Sequence, residues 1–427
     1  MMNVIELNAT NWKSLLERPT KSVEDIENTV DQIFKDVALN GDKAVERYTS
    51  IFDGVTLENN TVSQQEIDKA ETRVSDELKD AIQLAKNNIE TFHAAQKTEK
   101  VSIETTPGVL CWQEKRAIDK IGLYIPGGTA PLFSTVLMLA VPAKIAGCKE
   151  IVLCSPPDKS GNINPAILYT AQLCGVTKIY KVGGIQAIAA MTFGTTTISK
   201  VSKIFGPGNQ FVTVAKQLAT KFGIAIDMPA GPSELLVVAD ASANPAFVAS
   251  DLLSQAEHGA DSQVVLVSDS KEVIDKVLNE VAIQTEALPR KNVVEKALKA
   301  SRAILIESSD DALGFINDYA PEHLIISTNN DEFFVNGITN AGSVFIGAYT
   351  PESAGDYASG TNHTLPTNGY SKAYSGVNLD SFTKSITFQS ISQQGIQNIG
   401  NAIELMAEAE GLQAHKNAVT LRLNSLK

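Results

Sequence analysis

Apolar residues recur every three to four positions over residues 23–52 and again over residues 76–96, with Gly41 interrupting the first segment. This spacing is typical of amphipathic helices. From residue 120 the pattern changes, and the strand-length apolar runs KIGLY, EIVLCS, KIYK and KIF are each followed by a helical pattern. Repeated βα units with short loops predict a parallel sheet with helices on its faces.

A second α/β run begins near residue 233, with the apolar runs LLVVAD, QVVLVSD, RAILIES, HLIIST and VFIGA separated by helical patterns. Asn-Pro-Ala opens a predicted helix in both halves, at residues 164–166 and 244–246. Another helix is predicted with Thr129 as its N-cap, Pro131 in its first turn and Gly147 at its end.

Residues 350–385 are rich in Gly, Ser, Thr and Asn and lack periodicity, and a helical tail follows them. A long loop of this kind inside an enzyme is usually functional. The predicted fold class is α/β, with two Rossmann-like parallel-sheet domains and helical N- and C-terminal extensions. The predicted limits are an N-terminal extension (1–20), a first α/β domain (21–123 with 233–380), a second α/β domain (124–232) and a C-terminal helical tail (381–427).

Composition narrows the class of protein. With 427 residues the chain is long enough for more than one domain, and its net charge of −13 argues against nucleic acid and against an anionic membrane surface. The longest apolar run, residues 133–146, is too short to span a bilayer, and the N-terminus lacks the layout of a signal peptide. The four cysteines show no CxxC spacing. We therefore predict a cytoplasmic protein with reduced, buried thiols.

Glycine-rich loops follow three predicted strands of the second domain. They carry Tyr124-Ile-Pro-Gly-Gly, Gly183-Gly184-Ile-Gln186 and Gly206-Pro-Gly208-Asn209. The last loop opens a helix, which suits a phosphate group at a helix N-terminus. It is not a dinucleotide fingerprint, because Phe211 stands where the third glycine of GxGxxG belongs, although Asp227 lies where a ribose-binding acid could follow.

Possible metal ligands are scattered along the chain. Gln255 and His258 are three residues apart near the end of one predicted helix, so their side chains should share a face. Asp356 lies in the polar loop, and Glu410 and His415 lie in the tail. Imidazoles with a carboxylate suit zinc, but the spacing matches no standard zinc motif, and by residue type alone scattered His and Asp are more often surface residues. We interpret His363 as a turn residue and His93 as a solvated helix residue.

Glu322 and His323 stand side by side just after Pro321. They could form an acid–base pair or be a surface dipeptide where a helix stops. Pro321 should restrain Ala320 to extended structure and end the helix. Because side chains alternate along a strand, both residues can face one pocket only if they lie on a turn before LIIST becomes a regular strand.

Several of these segments together resemble the histidinol dehydrogenase family. They are YIPGGTAPLFSTVLMLAVPAKIAG, GGIQAIAAM, GPGN, DMPAGPSE, LLSQAEHG, APEHL, AGDYASGTNHTLPT and EGLQAH, and they occur in the family's order over nearly the whole chain. No single segment is decisive. Their co-occurrence over some 300 residues is specific, and no departure falls at a position that matters.

The resemblance implies a cytoplasmic, zinc- and NAD-dependent homodimer of histidine biosynthesis. Such an enzyme oxidises L-histidinol to L-histidine through an aldehyde with two NAD⁺, and the C-terminal segment of one subunit completes the other's site, so Glu410 and His415 would act in trans. The implied catalytic residues are Glu322 and His323; the cofactor contacts are Tyr124, Gln186 and Asn209; the ligands of one zinc ion per subunit are Gln255, His258, Asp356 and His415; and the substrate contacts are Ser233, Gln255, His258, His323, Asp356, Glu410 and His415.

Other interpretations remain open on the residues alone. A zinc hydrolase could use Glu322 to activate a metal-bound water, with His258, Asp356 and His415 as ligands. A thiol-dependent aldehyde dehydrogenase is disfavoured, because no cysteine lies in an electropositive loop. A metal-binding scaffold would leave the Glu322–His323 pair unexplained.

Overall fold

The structure is a computed structural model that describes residues 2–7, 11–19, 24–127 and 131–427. The chain separates into two compact units. Unit 1 comprises Met1–Ala95 and Ile118–Ser381, and unit 2 comprises Gln96–Ala117 and Phe382–Lys427.

Strands and helices alternate through most of the chain. The strands are β1 (Asn3–Glu6), β2 (Val101–Thr106), β3 (Val109–Ala117), β4 (Lys120–Tyr124), β5 (Glu150–Ser155), β6 (Lys178–Lys181), β7 (Lys203–Phe205), β8 (Ala225–Ile226), β9 (Glu234–Ala239), β10 (Gln263–Ser268), β11 (Arg302–Leu305), β12 (His323–Ser327), β13 (Ser343–Ile346) and β14 (Thr383–Ile391). The helices are α1 (Trp12–Leu15), α2 (Glu24–Asn40), α3 (Asp42–Phe52), α4 (Gln64–Glu71), α5 (Asp76–Ala94), α6 (Phe133–Ala146), α7 (Pro165–Leu173), α8 (Gly184–Phe193), α9 (Gln210–Thr220), α10 (Pro245–Ala256), α11 (Lys271–Ala287), α12 (Lys291–Lys299), α13 (Ser309–Tyr319), α14 (Asp331–Gly337), α15 (Glu352–Tyr357), α16 (Gln393–Ala409) and α17 (Gln413–Asn424), and short 3₁₀ helices cover Tyr370–Lys372 and Leu379–Phe382.

Unit 1 contains a five-stranded parallel sheet in the order β6-β5-β4-β7-β8. Strands β5 and β6 are added on one side of β4, and β7 and β8 are added on its other side. The order of the strands therefore changes direction between the parallel neighbours β4 and β7. In open α/β sheets, ligands bind at the carboxyl ends of the strands beside such a reversal. The loops that leave these two strands carry Tyr124 and the Gly206–Asn209 segment, so the sheet order brings two of the predicted cofactor loops together.

The second sheet of unit 1 has six parallel strands in the order β1-β11-β10-β9-β12-β13. Its central strands β9 and β10 are buried along their whole length, as expected for apolar runs with helices on both faces. Leaving out the edge strand β1, the order repeats that of the five-stranded sheet. The prediction of two Rossmann-like parallel sheets is confirmed.

Most predicted helix starts are confirmed by their caps. The side chains of Asn164 and Asn244 accept hydrogen bonds from the N–H groups of Ala166 and Ala246, with proline in the first turn. Gly147 ends α6 in the left-handed conformation. The prediction of Pro131 in the first turn of α6 is wrong, because the helix begins at Phe133 after Leu132; Thr129, the predicted cap, lies outside the described residues.

The interpretation of His93 as a solvated residue is wrong. Its side chain is buried in α5, with Nδ1 2.8 Å from the Ile89 carbonyl oxygen and Nε2 3.4 Å from Asn362 Nδ2. Burial lowers the pKa of His93, which favours the neutral ring. The packing partner lies 269 residues away in sequence, so the helical charge pattern of α5 alone could not indicate this burial.

Unit 2 combines an antiparallel three-stranded sheet, β14-β3-β2, with α16 and α17. The sequence patterns did not predict this sheet. Trp112 and Phe388 stack across β3 and β14 with ring centroids 5.2 Å apart. The tail, predicted as helical, consists of two helices separated at Gly411, which has a positive φ of 72°.

The predicted domain limits remain a prediction, and the structure shows how the N-terminal helices pack. Helices α2 and α3, which we grouped with the first domain, pack against α8 and α9 of the five-stranded sheet. Residues 96–117, grouped with that same domain, belong to unit 2. In the described part of the chain, no helix is both long and apolar enough to cross a membrane.

Candidate active site

The Glu322–His323 pair lies where α13 turns into β12. Ala320 is left-handed (φ 52°, ψ 66°), so the prediction of an extended Ala320 is wrong. The turn is held because the Ala320 N–H donates to the Ile316 carbonyl oxygen (2.8 Å) and its carbonyl accepts from Ser371 Oγ (2.8 Å). Glu322 therefore precedes β12, and its Oε2 lies 3.7 Å from His323 Nδ1. A turn before the strand is the geometry that allows the side chains of Glu322 and His323 to point toward the same pocket.

Hydrogen bonding defines the state of the His323 ring. Nδ1 lies 3.3 Å from the Glu234 carbonyl oxygen, an acceptor, so in the neutral ring the proton is on Nδ1. Nε2 is buried and has no hydrogen-bond partner in the part of the chain that the structure describes, and Asp356 Oδ1 is 3.7 Å away from it. The neutral ring therefore has its free lone pair on Nε2.

Three carboxylates surround this ring. Besides Glu322 and Asp356, Glu352 places Oε1 3.6 Å from His323 Nδ1. Burial by itself lowers the pKa of His323, but the charges of Glu352 and Glu322 outweigh it and raise that pKa well above its ordinary value. Burial raises the pKa of the Glu352 carboxyl to about 8. The raised pKa of His323 shows that these carboxylates favour a positive charge at the ring.

Glu352 was missed in the sequence, since we interpreted its surroundings as loop. It lies with Asp356 on the short helix α15, where residues four apart share a face. The ligand atoms of His323, Glu352 and Asp356 lie within 4.8 Å of one another, a group that could hold a metal ion. This group shares only Asp356 with the ligands that the resemblance implies.

The other implied ligands of unit 1 lie near Asp356. Gln255 is fully buried; with its amide oriented by its neighbours, its oxygen accepts from the Glu234 N–H (3.0 Å) and its nitrogen donates to Glu352 Oε1. His258 is exposed beyond the end of α10. Burial alone would raise the pKa of Asp356. The neighbouring His323, His363 and His258 lower it by more, so the pKa of Asp356 is below its ordinary value.

His363, which we interpreted as a turn residue, belongs to this region. Its Nε2 is 3.0 Å from Thr135 Oγ1 and its Nδ1 is 2.9 Å from the Asp356 carbonyl oxygen. Burial lowers its pKa. These contacts describe a neutral ring that donates from Nδ1 and accepts at Nε2, and so fixes the backbone of Asp356.

Two of the implied cofactor residues, Tyr124 and Asn209, line a second region at the carboxyl ends of β4 and β7, whereas Gln186 does not line it. Tyr124, Gly184 and Asn209 line a pocket of about 520 Å³. The Tyr124 hydroxyl accepts from the Gly184 N–H (3.2 Å), and burial raises its pKa to about 12. Asn209 caps α9 by accepting from the Val212 N–H (3.2 Å). Gln186 is fully buried in the first turn of α8, and neither of its amide atoms has a hydrogen-bond partner among the described residues.

Asp227 does not fit the role of a ribose-binding acid. Its carboxylate is buried, pairs with Lys216 Nζ (2.5 Å) and accepts from the Gly206 N–H (2.8 Å). Lys216 also donates to the Gly206 carbonyl (2.8 Å). A side chain at residue 206 would collide with the Tyr124 carbonyl. The buried ion pair therefore holds the glycine turn against β4.

Replacing Lys216 by methionine should lower the free energy of unfolding by about 3–5 kcal/mol, because Asp227 would remain buried without its cation. Urea unfolding followed by circular dichroism measures this change. The control is Lys178→Met, which removes an exposed pair with Glu150 and should cost less than about 1 kcal/mol. Equal midpoints for the two variants would contradict the prediction.

A further cavity is lined by residues from both the implied cofactor set and the implied metal and substrate sets. It has a volume of about 360 Å³, and its lining includes Gly208, Asn209, Ser233, His258 and Asn368. Ser233 directly precedes β9, and His258 lies in the connection from α10 to β10, so the cavity meets the amino ends of the six-stranded sheet. Glu410 and His415 lie in unit 2, exposed at the end of α16 and the start of α17.

Comparison with known proteins then decides the family. A profile of the family described as histidinol dehydrogenase matches residues 16–423. This chain belongs to the histidinol dehydrogenase family. It is 61% identical to the histidinol dehydrogenase of Bacteroides thetaiotaomicron, over 100% of both chains. Its structure matches the crystal structure of histidinol dehydrogenase from Elizabethkingia anophelis with a TM-score of 0.97 and 60% identity, covering 100% of this chain and 98% of that one.

A more distant likeness concerns the fold alone. The crystal structure of an NAD-dependent aldehyde dehydrogenase from Sinorhizobium meliloti matches with a TM-score of 0.51 at 13% identity, over 90% of this chain and 88% of that one. Burial raises the pKa of Cys148 to about 11 and those of Cys154 and Cys174 to about 12, so none of these thiols has the character of a reactive thiolate. Membership of the histidinol dehydrogenase family disfavours the zinc hydrolase alternative.

Proposed function

We propose that the protein is a cytoplasmic L-histidinol dehydrogenase that oxidises L-histidinol to L-histidine through histidinaldehyde and reduces two NAD⁺. Family membership supports the reaction. The observation that carries the proposal is the cavity lined by both Asn209 and His258. Hydride transfer requires the cofactor and the substrate to meet, and these residues belong to the proposed cofactor and metal sets.

The residues around Asp356 fit a divalent metal ion. Nitrogen and oxygen donors suit zinc, and the orphaned, buried Nε2 of His323 beside Asp356 indicates a site built for a further polar group. Gln255, His258 and Asp356 would hold the ion, with His415 from a second copy. When bound, zinc would supply a positive charge that orients the nitrogen donors of histidinol. The same charge would offset the carboxylates around His323 and return its pKa toward the ordinary value.

The region at the ends of β4 and β7 fits a nicotinamide cofactor. The amide of Gln186, which has no partner among the described residues, offers a donor and an acceptor, and Gly208 and Asn209 at the start of α9 line the pocket. Tyr124, Gln186 and Asn209 would hold NAD⁺, which supplies the hydride acceptor. The strand order of the sheet supports this assignment, because ligands of open α/β sheets bind where the strand order changes direction, as it does between β4 and β7.

In the alcohol step, His323 accepts the hydroxyl proton of histidinol at Nε2 as hydride leaves the carbon, giving the aldehyde. An aldehyde must add water before a second hydride can leave. Glu322 takes a proton from that water as its oxygen attacks the carbonyl carbon, and His323 returns the proton that it gained in the first step to the former carbonyl oxygen, which completes the hydrate. His323, neutral again, then takes a hydroxyl proton from the hydrate while the second hydride departs. The product is the carboxylic acid of histidine, which loses its proton to solvent and becomes the carboxylate.

We further propose a homodimer in which Glu410 and His415 serve the partner's site. Large apolar side chains are exposed on unit 2 in the single chain. They are Val101, Ile103, Leu110, Ile386, Ile391, Leu405, Met406, Leu412 and Leu421. Several exposed apolar side chains on one small unit indicate a protein contact, and a second copy of the chain meets the requirement for a shared site.

Complete conversion of limiting L-histidinol should yield two NADH per histidinol, measured by absorbance with zinc and excess NAD⁺. The product should be L-histidine, identified by chromatography, and omission of histidinol is the control. One NADH per histidinol would mean that the reaction stops at the aldehyde and would contradict the role of Glu322. No NADH from zinc-loaded protein would contradict the proposed function.

A further inference from the structure

Arg18, in the N-terminal segment of unit 1, reaches a buried carboxylate beside the active-site pair. Its Nε donates to Glu234 Oε1 (2.6 Å) and its Nη2 donates to Glu234 Oε2 (3.1 Å). The Arg18 side chain is 12% exposed and that of Glu234 is 2% exposed. Two parallel hydrogen bonds between a planar guanidinium and a carboxylate define their relative orientation closely.

The peptide groups of Glu234 contact both members of the proposed catalytic pair. Its N–H donates to Glu322 Oε2 (2.8 Å), and its carbonyl oxygen is 3.3 Å from His323 Nδ1. Glu234 thereby sets where the Glu322 carboxylate points and which nitrogen of His323 carries the proton. Its side chain also accepts from the N–H of Asn368 (2.8 Å), a left-handed residue of the cavity wall.

The same guanidinium contacts the chain on the other side of the pair. Its Nη2 donates to the Tyr319 carbonyl, and its central carbon lies 4.1 Å from the centre of the Tyr319 ring. Tyr319 ends α13, and only the left-handed Ala320 and Pro321 separate it from Glu322. Arg18 therefore links two segments. One is the turn after α13 that carries Glu322 and His323, and the other is the start of β9, where Glu234 contacts both of these residues.

We infer that Arg18, through Glu234, is a positioning residue that aligns Glu322 and His323 for both oxidations. This inference rests on the proposed function. The N-terminal segment is then part of the active-site architecture, although Arg18 donates its described side-chain hydrogen bonds only to Glu234 and to carbonyl oxygens of the fold.

The test compares Arg18→Met and Arg18→Lys with Arg302→Met in the zinc-loaded enzyme. Arg302 is the matched control, because its guanidinium donates to the carbonyls of Ser14 and Leu15 and so anchors the same segment. Arg18→Met should lower kcat by about 10–100-fold, as expected for a displacement of roughly 1 Å in the reacting groups. Arg18→Lys should lose less, Arg302→Met should keep kcat, and the KM for NAD⁺ should change by less than about threefold in all three.

The double variant Arg18→Met/Glu234→Gln separates positioning from folding. Removing both buried charges should return Tm toward that of the unmodified enzyme while kcat stays low. Recovery of kcat together with Tm would overturn the inference, as would equal kcat values for Arg18→Met and Arg302→Met. In all of these outcomes the unmodified enzyme is active, so they bear only on the role of Arg18. Absence of NADH formation by the unmodified enzyme would instead refute the proposed function itself.

Discussion

Replacing His323 by alanine should lower the rates of both oxidations by about 10²–10⁴-fold, the usual contribution of a general base. The reason is the tautomer that the Glu234 carbonyl selects, which leaves Nε2 as the free base. Each step in turn loses a hydroxyl proton, so neither can bypass this residue. The measurement is NADH formation from L-histidinol and, separately, from histidinaldehyde.

The matched control for this variant is His93→Ala, which removes the other buried histidine of unit 1 that packs away from the Glu322–His323 pair, within α5. It should lower Tm but leave kcat within about threefold. If His323→Ala retained the rate of either oxidation, His323 would not be the shared base. Normal binding of histidinol by the variant would show that the loss is chemical.

The cores of the parallel sheets were predictable because their central strands form continuous apolar runs that alternate with helical patterns, whereas the edge strands β1 and β8 were not predicted. Strands β9 and β10 illustrate this, since burial on both faces leaves a continuous apolar run in the sequence. The antiparallel sheet of unit 2 was not predicted. Strand β2 is almost entirely exposed, and β14 pairs with β3, which precedes it by more than 260 residues. Local periodicity does not report such pairing.

The position of the Glu322–His323 pair also differs from the general rule. The predicted cofactor loops follow their strands, as ligand-binding loops of open α/β sheets do. Glu322, Ser233 and His258 instead precede strands β12, β9 and β10. Of these residues, Ser233 and His258 line the same cavity as Gly208 and Asn209, which follow β7, so that cavity lies between the carboxyl end of a strand of one sheet and the amino ends of strands of the other. No strand-by-strand reading of the sequence could predict that juxtaposition.

The sequence analysis did not place in the site those residues whose role depends on being buried by a distant segment of the chain. Glu352 lies on the six-residue helix α15, too short for a periodic signal, although its spacing from Asp356 could have been noticed. His363 is held by Thr135, which is 228 positions away, and Arg18 pairs with Glu234 across 216 positions. In each case a distant segment removes the side chain from water and so gives it its role.

Replacing Glu322 by glutamine should separate the two oxidations. A glutamine oxygen can still accept the Glu234 N–H that Glu322 Oε2 accepts, so the turn and His323 should keep their positions. The amide cannot take a proton from water. We therefore expect oxidation of the aldehyde to fall by about 10²–10³-fold and oxidation of the alcohol to fall by less than about tenfold.

Single-turnover NADH formation from each substrate measures this ratio, and Glu307→Gln, at an exposed position of unit 1, controls for the loss of one negative charge. Equal losses in the two steps would mean that the Glu322 carboxylate acts through the field on His323, 3.7 Å away, rather than on water. A selective loss would assign the hydration step to Glu322. Because Glu322 and His323 are adjacent and share contacts with Glu234, only such a ratio, and not the size of either loss, distinguishes a second base from a positioning group.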